Sequence, residues 1–335
     1  MGIDVTGLPD KRVKRHYVVS SNPYLKLLAK LYKFLAARTA AKFNKVVYAR
    51  ILKSRSNKAP VSLSRLAVVL KRKTVWLNPW ELARLAMAKG LTSRAFRDRY
   101  CEFGGIHLRF DGPSGWNGLA ACSQYLPEGG CSVYEGRPLA CRLFPFGRER
   151  RGAELHYLHQ GNRFPCLDGC PEVVDQPYLT VADYLAGQDV AAGEAAQDAY
   201  FEIVQRLADG AFVLLLESGL AATGDQLTLR LWRQLGNEHP GHLAACLGSE
   251  WIERLMTPDV RGAVSDPMVF SHRHHDLLQA RTQLLFGKLK DVAGLCEASG
   301  LMMGLALYLG SGLGINPAEL VNRWIATAKE HGARE

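Results

Sequence analysis

Apolar positions recur at helical spacing along most of the chain. Near the start, Ser21-Asn22-Pro23 reads as a helix start, since a small polar side chain caps free amides and proline at the first helical position has no amide to leave unpaired. Tyr24, Leu28, Leu31, Tyr32 and Leu35 then share one face, with Lys26, Lys30 and Lys33 on the other. A second helix is expected over 41–52, with Phe43, Val46 and Val47 inward and Lys42, Lys45, Arg50 and Lys53 outward, and a third over 62–73 after a basic turn at 54–60. Asn78-Pro79-Trp80-Glu81 has a cap, a proline and a glutamate in capping-box spacing, so a helix should run from there to Gly90, followed by a short one over 92–100. The stretch 101–170 is rich in glycine and proline, with strand candidates at 106–110 and 154–159. Beyond 178 the pattern returns to helices: 179–186, 194–220, 225–235, 242–256, 275–290, 292–309 and 317–330. The expected class is mostly α, with a small irregular α+β cysteine-rich region and a basic helical N-terminal segment. Three parts follow: 1–73, 75–178 and 179–335.

Composition adds a division that periodicity does not show. The 335 residues carry 42 Lys+Arg, 32 Asp+Glu and a net charge of +10. Residues 1–73 hold 18 of the cations and only Asp4 and Asp10, a net of +16; the remainder is at −6. A hydrophobic share of 47% suits packed cores and excludes a chain disordered throughout. No apolar run approaches 18 residues, so neither a transmembrane helix nor a membrane partner is expected. No apolar h-region opens the chain, which points away from a secretory signal and toward a reducing cytoplasm.

Eighteen cations cannot be paired internally with two acids. They call for an external polyanion, and nucleic acid is the usual one, because each Lys or Arg set on a phosphate releases condensed counterions. A solvated cationic face, or a basic amphipathic helix on a membrane surface, are the alternatives. The candidate RNA-binding set is Lys11, Arg12, Lys14, Arg15, Lys26, Lys30, Lys33, Arg50, Lys53, Arg55 and Lys58. Met1-Gly2-Ile3-Asp4, Asn22-Pro23-Tyr24-Leu25-Lys26-Leu27-Leu28, Phe43-Asn44-Lys45-Val46-Val47 and Ser54-Arg55-Ser56-Asn57-Lys58-Ala59-Pro60 resemble the start of the L-eighteen family of eukaryotic large-subunit ribosomal proteins. That resemblance implies binding of ribosomal RNA in a cytosolic large subunit. The family continues into an α/β domain and a basic tail, and neither follows here.

All eight cysteines lie beyond residue 73. Cys101, Cys122, Cys131, Cys141, Cys166 and Cys170 fall in the glycine- and proline-rich stretch, which has little apolar content of its own to bury. Thiolates are soft ligands for zinc or an iron–sulfur cluster, and four suffice for either; unligated buried cysteine is the plain alternative. Arg137 and Arg142 stand beside Cys131 and Cys141 in sequence and are candidates to tune thiolate charge. Cys246 and Cys296 sit inside helical patterns and read as packing residues, and His272-Arg273-His274-His275 reads as an exposed turn at a helix start. No phosphate-cradling glycine motif, nucleophile elbow or paired-carboxylate signature stands out, so no catalytic constellation is assigned.

Cys122, then Cys131-Ser132-Val133-Tyr134-Glu135-Gly136-Arg137-Pro138-Leu139-Ala140-Cys141-Arg142-Leu143-Phe144-Pro145-Phe146, then Cys170-Pro171 resemble the YkgJ-type cysteine-cluster family, described as zinc- or iron-chelating and often as iron–sulfur oxidoreductases. The likeness covers about residues 75–175. It implies a metal site with Cys122, Cys131, Cys141 and Cys170 as first ligands, Cys166 and Cys101 in reserve, and an electron-transfer role with an unknown redox partner. The family's leading cysteine cluster has no counterpart, because Arg65 through Lys73 occupy its place. Two functional expectations therefore stand side by side: a zinc or iron–sulfur cysteine-cluster protein carrying a basic appendage, and a large-subunit constituent acting through residues 1–73. A third reading is a fused gene model with no single function, since two incomplete segments meet near Lys73 without a linker.

Overall fold

Asn78 and Pro79 start the first helix as their chemistry requires. In the computed structural model, which describes residues 54–55, 74–114, 120–144, 146–151, 154–159, 178–219, 226–260 and 262–333, helix α1 runs Pro79–Ala88. Both halves of its capping box are formed: the Asn78 side chain accepts from Glu81 N, and the Glu81 carboxylate accepts from Asn78 N. Thr92 caps α2 (Ser93–Tyr100). Strand β2 (Cys101–Glu102) pairs with β3 (His107–Leu108) around a tight turn in which Phe103, Gly104 and Gly105 all have positive φ, numbering β1 as Ser54–Arg55. The pairs β4 (Tyr125–Leu126) with β5 (Gly130–Cys131) and β6 (Phe146–Arg151) with β7 (Glu154–His159) flank the short helix α3 (Leu139–Leu143). Strand β8 (Tyr178–Leu179) pairs antiparallel with β1, so the sheets described are all two-stranded.

Helices supply the rest: α4 (Val181–Gly187), α5 (Ala191–Glu217), α6 (Gln226–Asn237), α7 (Pro240–Leu247), α8 (Ser249–Met256), α9 (Pro267–Phe286), α10 (Val292–Gly312) and α11 (Pro317–Glu330). The architecture is mostly α. Helix α10 is the axis of the core; from Met302 to Gly312 every residue is buried, against α5, α6 and α7. By length and composition it is apolar enough to cross a membrane, and 67% of its most apolar window is buried inside the protein. The sequence reading placed a helix over 292–309; the observed helix has the same start and runs three residues further, to Gly312.

One cluster of buried side chains runs from Val75 to Ala333 and includes Trp232, Tyr200 and Tyr308, so the cysteine-bearing stretch and the C-terminal helices share a core. Backbone bonds bring 75–77 against the β2–β3 hairpin, Leu77 N to Ile106 O and Leu108 N to Val75 O. Gly312 makes this approach sterically open: a Cβ there would stand 2.7 Å from Leu77 O. Leu139, Leu143, Phe146, Tyr157, Val181 and Val190 form a second, smaller cluster.

Several expected boundaries shift, each for a local reason. The stretch 242–256 is two helices, because Gly248 at φ 81 ends α7 and starts α8. Helix α9 begins at Pro267, capped by Asp266, eight residues before the expected start. The strand candidate 106–110 shortens to His107–Leu108. The partner of β7 was not expected from Phe146–Arg151, where charge masks alternation. The helices expected over 24–35, 41–52 and 62–73 lie outside the described residues.

Candidate functional site

Short backbone ladders bring three of the predicted cysteines into one row. Arg109 N bonds Tyr100 O, Ser123 N bonds Arg109 O, and Ser132 N bonds Gln124 O, so the segments of Cys101, Cys122 and Cys131 lie side by side. Cys101 and Cys122 are buried, Cys131 and Cys141 half-buried, and all four are free thiols. Burial drives the Cys101 thiol well above its ordinary range, against the pull of Arg109 and Arg97, with Cys122 adding to the rise. Burial likewise raises Cys122 to about 11, offset by a hydrogen bond from Gln124 N and reinforced by Cys131. Cys131 is raised by burial and lowered by Val133 N, Arg137 and Lys89. These are neighbouring neutral thiols at neutral pH.

The described residues do not make a ligand set as they stand: among them, no group of three or more His, Cys, Asp or Glu side chains is placed to hold a metal ion. Cys166 and Cys170 lie outside the described residues. Cys141 sits on α3, packed against the main core.

The two arginines differ in role. Arg137 stacks on the Tyr134 ring at 3.9 Å and acts electrostatically on Cys131. Arg142 is buried and spends its guanidinium on main-chain carbonyls: Nε on Arg137 O, Nη1 on Gln188 O and Nη2 on Glu135 O, the last shared with Arg84 Nη2. These bonds fix the 135–137 turn. Gly136 of that turn rests on α1, where a Cβ would come 2.7 Å from Arg84 O.

Residues that sequence reasoning did not select complete the environment. Lys89 donates to Ser132 Oγ and faces Cys131; no motif marks it. Glu81 is buried and accepts from Leu139 N at 2.7 Å as well as from Asn78 N, so the same carboxyl that caps α1 holds the start of the Cys141 helix. Burial raises it to about 7. His107 bonds the Glu102 carboxylate through Nδ1 beside Trp76 and Phe103.

The histidine run is not an exposed turn. It lies inside α9, and His274 is fully buried, with Nδ1 on the Tyr200 hydroxyl and Nε2 on Arg254 O. Cys246, read as a packing residue, is exposed. Of the cationic set, Arg55 falls in the described residues, in β1 beside Tyr178. Lys11, Arg12, Lys14, Arg15, Lys26, Lys30, Lys33, Arg50, Lys53 and Lys58 lie outside them.

Comparison with known proteins bears on the N-terminal part. The family model for ribosomal protein 60S L18 and 50S L18e matches residues 2–78. The large ribosomal subunit protein eL18 of Trypanosoma cruzi (strain CL Brener) is 59% identical over 91 residues, which are 27% of this chain and 47% of that protein. The eL18 of Leishmania major is 59% identical over 91 residues, 27% of this chain and 46% of its own length. The eL18 of Aedes aegypti is 40% identical over 101 residues, 30% of this chain and 51% of its own length. The chain thus spans about half the length of these curated relatives. No solved structure matches it.

Proposed function

We propose that this chain binds ribosomal RNA of a cytoplasmic large ribosomal subunit through its first 78 residues. The observation that carries the reading is the 59% identity to trypanosomatid eL18 proteins, in a region whose cations outnumber acids 18 to two over residues 1–73. In this reading the Lys and Arg side chains neutralise phosphates of the RNA. Binding of the full chain to deproteinised large-subunit RNA should then fall steeply with salt. Neutralising Lys26, Lys30, Lys33 and Arg50 together with glutamine should lower the slope of log K against log salt by roughly 3, at about 0.7–0.9 per phosphate contact. A quadruple variant with unchanged affinity and slope would exclude the reading.

A second reading is favoured by the backbone bonds that set the segments of Cys101, Cys122 and Cys131 side by side. In it the larger part of the chain holds zinc or an iron–sulfur cluster on Cys122, Cys131, Cys141 and Cys170, with Cys101 and Cys166 in reserve, and serves a structural or electron-transfer role. Full-length protein purified without oxygen should contain stoichiometric iron or zinc, and Cys122→Ser with Cys131→Ser should lose it. Metal-free protein after reconstitution with iron and sulfide, or with zinc, would refute it.

A further inference from the structure

Three side chains at the start and face of α7 form a relay that neither reading of the function uses. His239 caps the helix, its Nδ1 accepting from Gly241 N, and Pro240 fixes the first turn. One turn later His242 turns its Nδ1 back onto the Glu238 carboxylate. Four residues beyond, Cys246 lies on the same helical face, its Sγ 3.9 Å from His242 Nε2. The His242 side chain is 63% exposed and that of Glu238 24%, while Cys246 is the one exposed free thiol among the described residues.

The tautomer follows from the geometry. A neutral imidazole has one N–H, and a carboxylate can only accept, so the proton sits on Nδ1 and the Nε2 lone pair faces the thiol. That order of nucleophile, base and orienting acid is what activates a cysteine. The rest of the surroundings do not help: Cys246 lies in the last turn of α7, at the negative end of the helix dipole. Charged groups on the packed elements are engaged elsewhere. On α8, Glu253 holds Arg94 and Arg97 while Glu250 holds Arg254 and Arg281; on α10, the Tyr308 hydroxyl donates to Phe103 O and Glu297 is exposed on a distant turn. Activation therefore falls on His242, with Glu238 as its positioning residue.

We propose that Cys246 is a reactive thiol that exchanges with low-molecular-weight disulfides. The thiol proton passes to His242 Nε2, and the sulfur attacks one sulfur of the disulfide. A bond forms between Cys246 and that sulfur as the original S–S bond breaks, and the departing thiolate takes the proton back from the imidazolium. Cys246 is oxidised to the mixed disulfide and the small disulfide is reduced to one thiol.

The test uses the reduced full chain and 5,5′-dithiobis(2-nitrobenzoate), followed by stopped-flow absorbance from pH 6 to 9. One fast equivalent is expected in the wild type, absent in Cys246→Ser, with the modified peptide containing Cys246 by mass spectrometry. In His242→Gln and Glu238→Gln the fast rate should fall about tenfold at pH 7 and climb steadily with pH as for an unassisted thiol, whereas the wild-type rate flattens in that range. Survival of the fast equivalent in Cys246→Ser, or a wild-type rate and pH profile in both His242→Gln and Glu238→Gln, would overturn the proposal. His242 and Cys246 are exposed on α7 and Glu238 is partly exposed just before it, and circular dichroism of each variant checks that the helix is kept.

Discussion

Replacing Glu81 by alanine should destabilise the protein by roughly 2–5 kcal/mol, because two buried amides, those of Asn78 and Leu139, lose their acceptor together with the cap of α1. Glutamine keeps the shape and should cost less. What it removes is a pH dependence. Burial raises the Glu81 carboxyl from 4.5 to about 7, since the ionised form is desolvated more than the amides of Leu139 and Asn78 and the Arg84 charge can offset. Between those values the folded chain keeps a proton that the unfolded chain has released. The stability it contributes is therefore full below pH 4.5 and is lost as pH rises through 7, about 3 kcal/mol in all at about 1.4 kcal/mol per pH unit. Urea unfolding of wild type and Glu81→Gln across pH 4–8 measures the difference between the two curves; a difference that does not change with pH would contradict the assignment.

How far such groups can be read from sequence depends on whether their partners are near in the chain. The capping box of α1 was legible because Asn78 and Glu81 are three residues apart; the bond to Leu139, fifty-eight residues on, was not. The cation excess over residues 1–73 needed only counting. The helices beyond 178 were legible from their apolar period, yet the break at Gly248 was hidden within a continuous pattern. Asp266-Pro267 carries the same start signal as Asn78-Pro79, and overlooking it moved the start of α9 and turned a core histidine into an expected surface one. Cys246 was misread for a related reason: helical spacing identifies the face that a residue shares, but only the packed partner tells which face is covered. Glu238, His242 and Cys246 do repeat at intervals of four, and that spacing was the available signal.

His274 should show the opposite pH dependence to Glu81. Its Nδ1 accepts from the Tyr200 hydroxyl and its Nε2–H donates to Arg254 O, so both ring nitrogens are satisfied only in the neutral form. Full burial makes the charged form costly and lowers the group from 6.5 to about 4. Here the unfolded chain takes up the proton first. The stability is fully present above pH 6.5 and is lost as pH falls through 4, again about 3 kcal/mol. Between about pH 4.5 and 6.5 the two buried groups thus act with slopes of similar size and opposite sign, and wild-type stability should be nearly flat as far as these two decide it. Each single variant breaks that balance in its own direction. Glu81→Gln should lose stability on acidification through this window, because His274 is left unopposed. His274→Gln, which carries a constant penalty for its disturbed contacts with Tyr200, should instead gain on acidification, because folded Glu81 already holds a proton that the unfolded chain takes up only near pH 4.5. Parallel stability curves for both variants from pH 4.5 to 6.5 would show that these two residues do not set the pH response of the fold.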